Sequence, residues 1–142
     1  MANGTGAVSR SFTGEASSIS SVYGFISETV PRGGGNDGDV TALKLIADEV
    51  FTNITSYSRG GAEENPVTLE IGVENGVVSM TFIDSGFPFD PTSAPSPDIE
   101  LSAGEREIGG LGIHMIRCMA DEILYERAGD KNVLTVKKRL GE

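Results

Sequence analysis

Glu49 and Asn53 are the residues whose types and spacing first suggest chemistry. They fall four apart in a predicted helix over Thr41–Tyr57, so a carboxylate and a carboxamide stand one above the other on a single face. Two polar groups so placed need either water or a ligand. A second carboxylate, Asp84, ends a predicted strand on what should be its buried side, and there it costs several kcal/mol unless a donor satisfies it. An Asp two residues before Gly86 is also a common way to start a turn. A third feature is Gly109-Gly110-Leu111-Gly112, which opens a predicted helix and lets free backbone N–H groups approach an anion closely.

The elements that must position these groups follow from periodicity. Ser11-Phe12-Thr13-Gly14 reads as a short first strand after a small, polar terminus over residues 1–10 that is expected to be disordered. Ile19, Val22, Phe25, Ile26 and Val30 keep a helical period from Glu15 to Pro31, and Gly33-Gly34-Gly35 follow as a loop. Asp37 or Asp39 is the expected cap of the next helix, whose Leu43, Ile46, Val50, Ile54 and Tyr57 form its core arc. Glu49 and Asn53 lie roughly 60 to 100° from the centre of that arc on a 3.6-residue wheel, at the rim of the packed face.

Val67, Leu69, Ile71 and Val73 then alternate with polar residues, Asn75-Gly76 marks a tight turn, and Val77 to Asp84 returns as the partner strand. Residues 91 to 109 are rich in Pro, Ser and acidic side chains and read as a lid. After the glycine turn come Ile113, Met115, Ile116, Met119 and Ala120 on a helix. Ile123 to Arg127 and Val133 to Leu140, joined through Gly129-Asp130-Lys131-Asn132, make a closing hairpin. The order is α+β: a two-layer sandwich of a mixed, mostly antiparallel sheet with helices on one face, forming one domain over residues 11–142.

Composition narrows the partners. The chain has 142 residues, 38% of them hydrophobic, enough for one domain with a core. No apolar run approaches the ~20 residues needed to span a bilayer, and no charged then apolar leader is present, so no membrane association and a cytoplasmic location are expected. One cysteine, Cys118, and one histidine, His114, rule out an internal disulfide and a Cys/His zinc cluster. Both are expected to pack or face solvent. The net charge of −10 opposes nucleic-acid binding. An anionic ligand such as a nucleotide would need a divalent cation beside it.

In this order the motifs resemble a known family. Glu49-Val50-Phe51-Thr52-Asn53 is similar to the N box, Asp84-Ser85-Gly86-Phe87-Pro88-Phe89-Asp90-Pro91 to the first glycine box and Gly109-Gly110-Leu111-Gly112-Ile113 to the second, of the Bergerat-fold ATPase and kinase superfamily. Length and spacing resemble its anti-sigma factor serine-protein kinases, and the likeness covers about residues 11 to 140. The resemblance implies that Asn53 ligates magnesium, Glu49 is the general base and Asp84 accepts from the adenine amino group. It also implies that Gly86 lets the purine pack closely, that the amides of Gly110, Leu111 and Gly112 hold the phosphates, and that Phe89 and Gly109 belong to the cofactor-binding set.

Arg106 is the cation nearest before the second glycine box and the candidate for a catalytic cation, with Glu107-Ile108 intervening. Tyr57 stands where relatives often carry His. The implied cofactors are ATP and Mg²⁺, and the implied activity is phosphorylation of a serine on a small anti-sigma-factor antagonist. A sigma factor is a further implied partner, and homodimers are usual in the family. A nucleotide-binding switch that regulates a partner without efficient phosphoryl transfer is the alternative, and chance occurrence of the boxes in a structural domain is a third reading.

Overall fold

A computed structural model describes residues 7–13, 16–55, 66–88, 90 and 116–141. The elements are β1 (Val8–Thr13), α1 (Ile19–Thr29), α2 (Asp37–Asn53), β2 (Pro66–Glu74), β3 (Val77–Asp84), β4 (Glu122–Ala128) and β5 (Lys131–Arg139). Single 3₁₀ turns at Ala16–Ser18 and Pro31–Gly33 flank α1, and 116–119 form a short helical turn before β4.

The strands make one sheet in the order β1-β2-β3-β5-β4, and all four pairings are antiparallel. The expected mixed sheet is thus antiparallel throughout its described strands. Alternation decides which face is buried. Val67, Leu69 and Ile71 on β2, Val78, Met80 and Phe82 on β3, and Leu134 and Val136 on β5 point into the core. Val22, Phe25 and Ile26 of α1 and Leu43, Ile46 and Val50 of α2 meet them from the helix layer.

β1 begins at Val8, inside the terminus expected to be disordered. Its pairing with β2 runs from Val8↔Ile71 to Thr13↔Pro66, although only Phe12 of β1 is buried. The Phe12 ring lies 6.0 Å from that of Phe25, and the Arg10 guanidinium sits 4.5 Å over the same Phe25 ring. This edge strand is therefore secured by aromatic and cation–π contact to α1 as well as by its ladder.

The cap of α2 is Asn36 rather than Asp37 or Asp39. Asn36 Oδ1 accepts from the Asp39 amide at 2.8 Å, and Asp39 Oδ2 accepts from the Asn36 amide at 2.8 Å. This is a capping box with an Asn opening it and the carboxylate three residues on. Asp39 exposes only 1% of its surface and also accepts from the Gly141 amide at 2.9 Å. Those two backbone donors hold its carboxyl below the usual carboxylate range, with Lys138 assisting. The start of α2 is so tied to the residues after β5, where the Leu140 amide donates to Gly76 O in the β2–β3 turn at 2.9 Å.

This anchor sets where α2 ends. The helix has 17 residues and β3 has 8, lengths of about 25 Å and about 26 Å at 1.5 and 3.3 Å per residue. Both start near Gly76, so Asn53 and Asp84 each lie at the end of their element away from it.

Candidate functional site

Asn53 closes the last regular turn of α2, and a π turn at 54–55 follows it. Wide turns of this kind recur inside helices at functional sites. The sequence placed Asn53 at the rim, but the residue is 3% exposed. The reason is its spacing: Asn53 lies seven after Ile46 and three after Val50, within the apolar stripe itself. Its Nδ2 donates to the Glu49 backbone carbonyl at 2.7 Å. Its Oδ1 is buried and, among the described residues, has no hydrogen-bond partner. Such an atom costs about 1–3 kcal/mol, a cost that a ligand arriving at Oδ1 would remove.

Glu49 is half-buried, as expected for a rim position. Burial raises its carboxyl above the ordinary value, and the neighbouring Asp48 raises it further. Asp48 accepts a hydrogen bond from Tyr23, whose phenol is raised first by burial and then by the charges of Asp48 and Glu49. Lys44 Nζ lies 5.7 Å over the Tyr23 ring. The acidic turn of α2 is therefore packed against α1 at Tyr23.

Asp84 is 4% exposed at the end of β3, on the core side with Met80 and Phe82. The sequence asked for a donor there, and the chain itself supplies two. Asp84 Oδ1 accepts from the Gly86 amide at 2.9 Å and from Asn132 Nδ2 at 3.1 Å. The first is the local turn bond that an Asp two residues before a Gly makes. A carboxylate has about four acceptor positions, so the turn bond and a ligand contact are compatible.

Asn132 is the site residue that sequence reasoning missed. It was assigned to the turn between the last two strands, but Lys131 and Asn132 belong to β5, and Asn132 is directly across from Asp84. It is 3% exposed. Its Nδ2 also donates to Phe87 O at 2.8 Å, and its Oδ1 accepts from the Tyr125 hydroxyl. Arg127 Nη1 donates to Gly86 O at 2.9 Å, and Lys131 Nζ donates to Ser85 Oγ at 3.0 Å. The Ser85-Gly86-Phe87 turn is thus held from β4 and β5. Strict alternation from Val136 and Leu134 back to Asn132 was the available signal.

The structure joins Asn53 to Glu49 at the end of α2, and Asp84 to Gly86 at the end of β3. Phe89, Arg106, Gly109, Gly110, Leu111, Gly112, Tyr57, His114 and the lid lie outside the described residues. Of the following helix, Ile116 is buried at 2% exposure, whereas Cys118 is exposed. None of the described helices is long and apolar enough to cross a membrane.

A sheet covered on one face by two helices, with a buried amide at the end of one helix and a buried aspartate at the end of a strand, fits the framework of a nucleotide-binding ATPase domain. Residues 12–138 match the histidine kinase-like ATPase domain family, and the chain belongs to that family. Its sequence relatives are serine-protein kinases and anti-sigma factors. It is 31% identical over 94 residues to the serine/threonine-protein kinase BtrW of Bordetella bronchiseptica, covering 66% of each chain. It is 26% identical to the serine-protein kinase RsbW of Listeria monocytogenes, over 78% of this chain and 73% of that one. The anti-sigma F factor of Geobacillus stearothermophilus is 22% identical over 71% of this chain and 69% of its own.

Solved structures agree on the fold. The RsbU and RsbW domains of a Mycobacterium tuberculosis protein superpose with a TM-score of 0.66 at 13% identity, covering 96% of this chain and 33% of that one. The catalytic domain of the histidine kinase ThkA superposes with a TM-score of 0.53 at 15% identity, over 94% and 97% of the two chains.

Proposed function

We propose that this chain is an ATP-binding serine-protein kinase and anti-sigma regulator that phosphorylates a small antagonist protein. The observation that carries the reading is the buried Oδ1 of Asn53, which has no hydrogen-bond partner among the described residues, together with the burial of Asp84 at the end of β3. An amide oxygen is a suitable ligand for a hard divalent cation, and here it is desolvated while the Nδ2 of the same amide is held by the Glu49 carbonyl. Asn53 would hold Mg²⁺, which when bound offsets charge on the nucleotide phosphates. The names of the sequence relatives support the serine-kinase and anti-sigma parts of the proposal.

The remaining roles are those the motif resemblance implies. Asp84 accepts from the exocyclic amine of adenine, with Gly86 giving close access to the ring. Phe89 and the amides of Gly109 to Gly112 are assigned to base and phosphates through their motifs, and Arg106 to charge on the transferred group. In transfer, the serine oxygen bonds to the γ-phosphorus while the bond from that phosphorus to the β–γ bridging oxygen breaks. The serine proton passes to the Glu49 carboxylate and ADP leaves. Burial suits Glu49 to this, because a base with a raised pKa takes the proton more readily. We place the sigma factor and the antagonist as the protein partners and a homodimer as the working assembly.

Titration calorimetry with ATP in the presence of magnesium tests the site, and transfer of radiolabelled γ-phosphate to a cognate antagonist tests the activity. Binding with stoichiometric transfer to serine is expected. Binding without transfer identifies a nucleotide-dependent switch, and absence of binding removes the nucleotide reading altogether.

A further inference from the structure

Three side chains stand in one row across the helix-covered face of the sheet at the Asp84 end. Arg127 of β4 is opposite Asn132 of β5, and Asn132 is opposite Asp84 of β3. Every polar atom of the Asn132 carboxamide is engaged. Nδ2 spans Asp84 Oδ1 and Phe87 O, and Oδ1 takes the Tyr125 hydroxyl. A flipped amide would set its oxygen against the two acceptors Asp84 Oδ1 and Phe87 O, so the network admits one orientation. The buried setting makes each of these bonds costly to lose.

We propose that Asn132, oriented by Tyr125, is a positioning residue that sets the Asp84 carboxylate for selection of 6-amino purines. The proposal rests on the reading that Asp84 meets the adenine amine. Asn132 holds Asp84 Oδ1 from one side and the Gly86 amide holds it from the other, so the plane of the carboxylate is fixed before any ligand arrives. The same amide ties down Phe87 O, and Arg127 ties down Gly86 O, so the turn that flanks the base cannot move independently of Asp84. A carboxylate fixed in this way accepts from a 6-amino group and repels a 6-oxo group. One free to rotate loses both effects, because selectivity then depends on a geometry no longer imposed.

The test measures Kd for ATP, for purine riboside triphosphate, which lacks the 6-substituent, and for ITP, which carries a 6-oxo group. The proteins compared are the wild type, Tyr125→Phe and Asn132→Ala. Tyr125→Phe removes one hydroxyl and keeps the ring, so it serves where Asn132→Ala does not fold. The wild type should prefer ATP to purine riboside triphosphate by roughly ten- to hundred-fold, the worth of one buried charge-assisted bond. In each folded variant that preference should shrink at least five-fold, with ITP gaining relative to ATP. Loss of affinity for all three nucleotides in equal proportion, with the preference kept, would overturn the proposal and leave the network a structural brace. A wild type that binds ATP and purine riboside triphosphate equally would instead remove Asp84 from base recognition, which is a failure of the underlying reading.

Discussion

The side-chain amide of Asn53 donates to the backbone carbonyl of Glu49 at 2.7 Å, linking the assigned metal ligand to the residue assigned as base one turn earlier. This bond holds the Asn53 NH₂ on its own helix and leaves Oδ1 for the metal role assigned to it. Asn53→Ala removes one hydrogen bond but also removes a buried acceptor that has no partner among the described residues, so unfolding free energy should change by no more than about 1–2 kcal/mol. ATP affinity with magnesium present should fall at least about ten-fold, a difference of roughly 1.4 kcal/mol. Calorimetry with magnesium and with a chelator separates the two effects. An equal loss in both conditions would rule out a metal role for Asn53.

Glu49→Gln tests the base and carries a second, opposite signature. Transfer to serine should fall by about 10²- to 10⁴-fold. The folded protein holds the Glu49 proton more tightly than the unfolded chain does, because burial and Asp48 raise its carboxyl. Ionised Glu49 therefore opposes folding above the ordinary value of 4.5, and this opposition disappears as pH falls below it. The variant should melt at a higher temperature than the wild type at pH 7, with the gap closing near pH 4. A wild-type transfer rate that stays flat as pH is lowered through the region just above 4.5 would argue against Glu49 as the group that takes the proton.

Asp84→Asn should weaken ATP binding by about 1–3 kcal/mol. The new amide must turn its NH₂ either toward the donors Gly86 N and Asn132 Nδ2 or toward the base. Either choice spoils contacts that the carboxylate makes without conflict. Titration of both proteins with ATP checks this, and equal affinity would take Asp84 out of the site.

Asp39 stabilises the fold in a pH window of its own. Its carboxylate accepts from Asn36 N and Gly141 N, and its pKa is lowered from 3.8. The contribution is complete above 3.8 and is lost as pH falls through the lowered folded value. Asp39→Asn should cost about 1–3 kcal/mol at neutral pH. Denaturant unfolding should show the difference narrowing below pH 3.8, and a constant difference across that range would show that ionisation of Asp39 is not what stabilises the wild type.

Much of the framework could be read from patterning because burial here obeys period. Val22, Phe25 and Ile26 kept helical spacing, and Val78, Met80, Phe82 and Asp84 kept strand alternation, so the core side of each element was visible before packing was known. β1 was cut short in the reading because only Phe12 of its six residues turns inward, and one buried residue makes no pattern. Asn36 was passed over as a cap because Asp37 and Asp39 stand beside it, and only the paired 2.8 Å bonds distinguish the capping residue from its partner. Asn132 escaped because Gly129-Asp130-Lys131-Asn132 has the composition of a loop. Its burial comes from the strand opposite, and register between strands 48 residues apart is not written in either one.

That separation also governs the order in which the molecule can assemble. β2 with β3, and β4 with β5, are hairpins whose turns bring their strands together locally, and each can form early. Asp84 and Asn132 meet only when β3 pairs with β5, an event that must close the long intervening segment and bear its chain-entropy cost. Joining the two hairpins into one sheet and forming the Asp84–Asn132 contact are then the same step. A chain that has formed either hairpin alone lacks the Asp84–Asn132 contact, so on the proposed reading ATP as a folding ligand would act on the completed sheet and slow its unfolding rather than hasten the earlier steps.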